Sequence, residues 1–196
     1  IMKYYYISDL HFGHEHIISL CNRPYSTTEE MNKSTIRICN ETVQKDDVLV
    51  ILGDVANYYY NAVKDLKSIS CKKILITGNH DRHWLKDREF RHCFVDIVEN
   101  EIIYDGKYKI FLSHYPMAEW DGFYKGIYHF YGHIHNSPNA AAAVMTLYEK
   151  AVNVGIDVIQ KPRTAEELIR NRKAEFDKGS QLTIQQLLKT INDPLG

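Results

Sequence analysis

Val48-Leu49-Val50-Ile51-Leu52-Gly53-Asp54 is a short β-branched run that stops at a glycine and an acid. This is the pattern of a strand that ends in a turn and delivers a polar side chain there. Runs of the same kind lie at Lys3–Ser8, Lys73–Thr77, Lys107–Ser113 and Ile127–Tyr131, with weaker ones at Phe94–Val98, Glu101–Tyr104 and Ala151–Gly155. Between the first three the spacing turns helical. Thr28-Glu29-Glu30-Met31 opens a helix with a capping threonine, and Ile36, Cys39, Asn40 and Val43 continue it. Asn61 to Ile69 repeats the pattern with Val63, Leu66 and Ile69. Strand, helix, strand, helix in that order implies parallel βαβ units. Tyr104-Asp105-Gly106-Lys107 is instead a turn between two strand patterns and predicts an antiparallel hairpin. The expected architecture is an α/β sandwich with mixed sheets and helices outside.

After Gly155 the character changes. Thr164-Ala165-Glu166-Glu167 caps a charged helix running to about Lys178, and Thr183 to Ile191 reads as a last amphipathic helix. The expectation is one domain over 1–196, with a sandwich in 1–160 and helices in 161–196 that pack on it or make a homodimer. The 196 residues suffice for a substantial core, and 44% hydrophobic with 25% charged residues is an ordinary globular balance. A net charge of -1 gives no bulk attraction to nucleic acid or acidic lipid. No apolar stretch approaches the ~20 residues of a membrane span, and Met2-Lys3-Tyr4 runs straight into a strand pattern instead of a cleavable apolar region. Cys21, Cys39, Cys71 and Cys93 have neither metal-knuckle spacing nor disulfide density. A reduced, cytoplasmic setting is expected. The histidine count is the anomaly: 10, as many as the glycines.

Placed on the strand map, the polar residues converge. The strands end in Ser8-Asp9-Leu10-His11, Gly53-Asp54, Gly78-Asn79-His80-Asp81, Ser113-His114 and Gly132-His133-Ile134-His135. Five strands thus deliver Asp, Asn or His just past their carboxyl ends, where α/β sheets place ligand sites. Asp9/His11 and His133/His135 are i,i+2 pairs; in extended backbone each pair points to one side and can close on one ion. Carboxylate and imidazole together suit Mn, Fe or Zn. Asp9, His11, Asp54, Asn79, His114, His133 and His135 are too many ligands for one tetrahedral ion and about right for two that share a carboxylate. Asp54 is the natural bridge. Two ions ~3.5–4 Å apart suit in-line displacement at phosphorus by a bridging hydroxide.

These ordered blocks, Asp9-x-His11, Gly53-Asp54, Gly78-Asn79-His80-Asp81, His114 and Gly132-His133-x-His135, resemble the signature of the calcineurin-like metallophosphoesterases. The resemblance implies a four-layer α/β/β/α sandwich with two mixed sheets. It implies a metal ion held by Asp9, His11, Asp54 and His135, and another held by Asp54, Asn79, His114 and His133. Two divalent or transition metal ions are therefore expected, manganese first, with iron, zinc, nickel and cobalt as alternatives. His80 is implied as the non-ligand histidine that stabilises the transition state or protonates the leaving oxygen, with Asp81 orienting its ring. The implied reaction is hydrolysis of a phosphomonoester or phosphodiester.

Departures narrow the subgroup. Asn57 stands where purple acid phosphatases have a metal-binding tyrosine, and Asp54-Val55-Ala56-Asn57 lacks the Asp-Arg-Gly of protein phosphatases. Both features argue against those activities. The stretches Asp9-Leu10-His11-Phe12-Gly13-His14 and Asn22-Arg23-Pro24 resemble small bacterial or phage-type members. His14 and Arg23 are candidate contacts to the substrate phosphate, Arg23 as a guanidinium fork. His16, His83, His92 and His129 fit no block and read as surface or core filler. Tyr58-Tyr59-Tyr60 could line the mouth of the cleft or simply pack. The expected partner is a small phosphoester. A non-catalytic metal-binding interaction module and a nuclease acting on RNA or DNA stand as alternatives.

Overall fold

In the computed structural model, which describes residues 2–179 and beyond them 185, 186 and 189, eight strands form two four-stranded sheets. The first holds β1 (Tyr4–Ile7), β2 (Val48–Ile51), β3 (Lys72–Ile76) and β4 (Asp96–Val98) in that order, every pairing parallel. The second holds β5 (Asn100–Asp105), β6 (Tyr108–Ser113), β7 (Tyr128–Tyr131) and β8 (Ala151–Asn153). There β5 and β6 make the antiparallel hairpin expected at Gly106-Lys107, while β6, β7 and β8 run parallel. Only the second sheet is mixed. The sequence led us to expect two mixed sheets, but β4 returns beside β3 in parallel, and the chain reverses only after crossing into the second sheet.

The helices are α1 (Glu15–Leu20), α2 (Thr28–Thr42), α3 (Val63–Ser68), α4 (Arg88–Arg91), α5 (Ala140–Met145), α6 (Ile156–Ile159) and α7 (Ala165–Asp177). A 3-10 turn spans Asp81–Lys86. The cap of α2 is Thr27, one residue before the expected threonine. Its side chain accepts from Glu30 N at 3.2 Å, while Glu30 Oε2 accepts from Ser26 N. Thr164 and Glu167 form a reciprocal capping box on α7. The last expected helix lies, apart from the three residues named, outside the described residues. No helix among those described is long and apolar enough to cross a membrane.

The main core lies between the sheets and under α2, α3 and α7, joining Leu49, Ile51, Leu66 and Leu75 to Ile110, Phe130, Val152 and Leu168. Tyr6 and Phe130 meet edge to face at 5.0 Å across it. A smaller core of Phe111, Trp120, Tyr131 and Met145 covers the outer face of the second sheet under α5. The layers are therefore helix, sheet, sheet, helix. Along the outer edge of β1 the chain returns late: Ser8 N donates to Val154 O at 2.9 Å, Ile156 N to Ser8 O at 3.0 Å and Tyr6 N to Arg163 O at 2.9 Å. This return stitches the two sheets side by side, so the carboxyl ends of β1, β2, β3, β6 and β7 open onto one edge.

Candidate metal centre

Three groups of side chains meet on that edge, each with ligand atoms within 4.8 Å of one another: Asp9 with His11 and His135, Asp54 with His114 and His133, and His11 with Asp54 and His80. Asp54 is common to the last two. Its Oδ2 lies 3.7 Å from His11 Nε2, 3.3 Å from His114 Nε2 and 4.0 Å from His80 Nε2. Asn79 completes the second half, with its Oδ1 3.2 Å from His114 Nε2.

Backbone conformation aims these groups. Asp9, His11, Asp54, His133 and His135 all have φ between 50° and 70°, in the left-handed region that non-glycine residues seldom enter. Such strain persists only where surrounding contacts hold it. The extended i,i+2 geometry expected for the two pairs is therefore not what the structure has, and its consequence differs as well. Asp9 and His11 do share a group, but His133 and His135 part, one to each half. Close approach also explains the glycines. A Cβ on Gly78 would collide with Asp54 Oδ1, and one on Gly132 with Ser8 Oγ and Asp9 Oδ2.

Hydrogen bonds fix the rings. His114 Nδ1 donates to Leu52 O at 2.7 Å, which turns Nε2 toward Asp54. His135 Nδ1 donates to Asp157 Oδ2 at 2.8 Å, which leaves the lone pair on Nε2. His14 lies at the centre, its Nδ1 3.1 Å from His11 Nδ1 and its ring 5.8 Å from that of His80. His80 anchors its backbone rather than its ring, donating from N to Asp54 Oδ1 at 2.9 Å.

Two expected roles change. Asp81 is fully buried and accepts from Gly78 N, Asp54 N and Val55 N at 2.8–2.9 Å, so it ties the loops after β2 and β3 together; its hydrogen bonds do not go to the His80 ring. Arg23 is buried and fully occupied. It donates from Nε and an Nη to Asp157 at 2.8 and 2.9 Å, and from its Nη atoms to Asp9 O and Leu10 O at 2.8 and 3.0 Å. No fork remains for phosphate. Asp157, absent from the sequence expectations, is thus the link between Arg23 and His135. Its position inside α6, 22 residues beyond His135, carries no local signal. Tyr115 was also unforeseen. Its ring lies 4.7 Å from that of His133 and its hydroxyl 3.4 Å from Asn79 Oδ1. Adjacency to His114 was its only signal. Among the three tyrosines of the 58–60 stretch, Tyr58 rests on His83 with rings 4.1 Å apart and Tyr60 bonds Asp65.

The donors fit metal ions. His11 Nε2 is buried and has no hydrogen-bond partner, which costs about 1–3 kcal/mol unless a cation receives its lone pair. Burial drives the His11 pKa well down, and it lowers that of His133 too, so both rings are neutral ligands at pH 7. Burial would raise the Asp54 pKa, but the His114 bond and charge, with His11 and the His80 N–H, hold it below the usual carboxylate range. Burial lifts Asp9 to about 6. His135 goes the other way. Burial would lower it, yet Asp157 and the nearby Cys21 and Asp9 raise it to about 10 when no cation is present.

Known proteins share the sequence and the fold. The chain is 32% identical over 195 residues to the uncharacterized protein MJ1445 of Methanocaldococcus jannaschii, covering 97% of both chains. Its fold superposes on the protein of unknown function AQ665 from Aquifex aeolicus with a TM-score of 0.69, at 24% identity, covering 87% of this chain and all of that one. The family model described as calcineurin-like phosphoesterase matches residues 2–140, from the first strand through the His133/His135 loop. With the donors converging within those same limits, the chain belongs to the calcineurin-like phosphoesterases, metal-dependent hydrolases of phosphoester bonds.

Proposed function

We propose that the protein hydrolyses a small phosphoester at a dinuclear centre, with Asp54 as the shared ligand. The observation that carries this reading is the place of Asp54 Oδ2, between His11 Nε2 at 3.7 Å and His114 Nε2 at 3.3 Å. Asp9, His11 and His135 would complete one site with it, and Asn79, His114 and His133 the other. Manganese is the first choice, since the set mixes imidazole with oxygen ligands and uses no thiolate. When bound, the ions supply Lewis acidity at phosphorus and an activated water.

The protein's own groups do the rest. His80 is half-exposed at the edge of the centre, with its backbone pinned to Asp54 and its ring hydrogen-bonded to no other described residue, so it can donate a proton to the departing alkoxide. His14 steadies the His11 ring through the 3.1 Å contact. Asp157 keeps the His135 proton on Nδ1 and so presents Nε2 to the ion. Asp81 and Arg23 hold the loops that carry Asp54 and Asp9.

The test is metal analysis of the purified protein together with hydrolysis of aryl phosphomonoesters and phosphodiesters in manganese. About two ions per chain with turnover supports the reading. Asp54→Asn should lose metal and activity together; normal stoichiometry in that variant would count against a shared ligand.

A further inference from the structure

Beside the Asn79 and His133 half of the centre the two sheets part and leave a hollow of about 310 Å³, lined from both sides. Leu85, Ile97 and Val98 come from the first core and Met117 from the second, and all four are only half-buried. Apolar surface thus stays open to solvent within a concave wall, which a folded chain has no packing reason to leave so. Two features join the hollow to the centre: Gly78, the residue before Asn79, and Tyr115, whose ring touches His133 and whose hydroxyl is 3.4 Å from Asn79 Oδ1. Arg82 and Glu99 stand at the rim, both exposed, and neither side chain has a hydrogen bond or ion pair with another described residue.

Resting on the hydrolase reading above, we propose that this hollow is the subsite for the nucleoside arm of a nucleotide ester, with Tyr115 at the junction between base and phosphate. An apolar slot at the small end of ligand pockets suits a planar heterocycle. Free donors on Arg82 and free acceptors on Glu99 at the same rim match the mixed edge of a base, whereas a simple second anion would meet Glu99 unfavourably. The Tyr115 hydroxyl, 3.4 Å from Asn79 Oδ1 and with its ring against His133, would donate to a phosphate oxygen of the bound ester.

Two measurements test this independently. The first compares manganese-loaded protein on the p-nitrophenyl phosphate diesters of adenosine (5′-linked) and of methanol, which share a leaving group. The adenosine ester should show kcat/KM at least about tenfold higher, the scale of one base stacked on an aromatic or apolar wall. Met117→Trp, which fills the hollow, should bring the ratio near one. Equal values in the wild-type protein, or a preference that survives Met117→Trp, overturns the proposal. The second needs no turnover. In EDTA, the Met117 methyl resonance should shift saturably with adenosine and not with ribose; no shift with adenosine overturns the subsite. Turnover of neither ester would instead sink diester hydrolysis, and the methyl titration would still decide the subsite on its own.

Discussion

Replacing Arg23 with methionine separates a structural cation from a phosphate fork. In the folded protein its side chain and that of Asp157 are 5% and 3% exposed, and the pair is joined by two bonds of 2.8 and 2.9 Å. The variant leaves the Asp157 carboxylate buried with only His135 against it, and strips a donor from both Asp9 O and Leu10 O. Removing one partner of a buried pair costs about 3–5 kcal/mol when the remaining charge has no other partner; with the protonated His135 still against Asp157, the loss should lie toward the lower end of that range. That is a large part of the roughly 5–15 kcal/mol by which domains are stable. Urea unfolding in EDTA should show the loss directly, free of any contribution from bound ions. Adding Asp157→Leu removes the orphaned charge, so the double variant should be more stable than the sum of the two single losses by about 1–3 kcal/mol. The reasoning is refuted if Arg23→Met unfolds within about 1 kcal/mol of the wild type while the KM for a phosphoester rises tenfold, because Arg23 would then act on substrate.

His80→Ala should retain both metals while turnover falls about 10²- to 10⁴-fold; unchanged rates on poor as well as good leaving groups would remove it from proton transfer. Asp81→Asn places an amide donor against at least one of the N–H groups of Asp54, Val55 and Gly78, and should cost about 1–3 kcal/mol with weaker metal retention. If it altered only the pH profile of turnover, with stability and metal unchanged, Asp81 would be orienting His80 after all. His129 is buried, and burial lowers its pKa from 6.5 to about 4 against the opposing bonds to Phe111 and Tyr115 carbonyls. Between those pH values the unfolded chain binds a proton that the folded chain refuses, so stability falls as pH drops, by up to about 3 kcal/mol in all. Metal-free His129→Gln should show a shallower acid limb over that window in urea titrations; parallel curves would exclude the effect.

Local pattern carried the strands and the turn. Each of the eight runs became a strand because β-branched and aromatic residues alternate with clear stops, and Asp105-Gly106 could hardly be anything but a hairpin turn. Pairing order is a different matter. Whether β4 lies parallel to β3 depends on where the chain goes after α4, which no window of residues encodes, and so the first sheet's wholly parallel character was missed. At the centre, the gathering of these side chains was legible because five strand ends repeat the same chemistry. The left-handed backbone at Asp9 and His133 was not, since Asp and His tolerate that region but do not announce it. Arg23 and Asp157 show the limit most plainly: 134 residues apart in sequence, they meet through the tertiary fold alone.

The late stitch along β1 also sets a timetable for biosynthesis. Asp9 and His11 leave the ribosome first, but His135 follows 126 residues after Asp9, and the edge partners of β1 at Val154, Ile156 and Arg163 later still. At about 5–20 residues per second, roughly 6–25 s separate the first candidate ligand from the last. Through that interval the nascent chain can offer a passing cation only part of a coordination sphere. The choice of metal would therefore wait until this edge has closed, and would be made by the folded cage and not by whichever ion first meets the earliest donors.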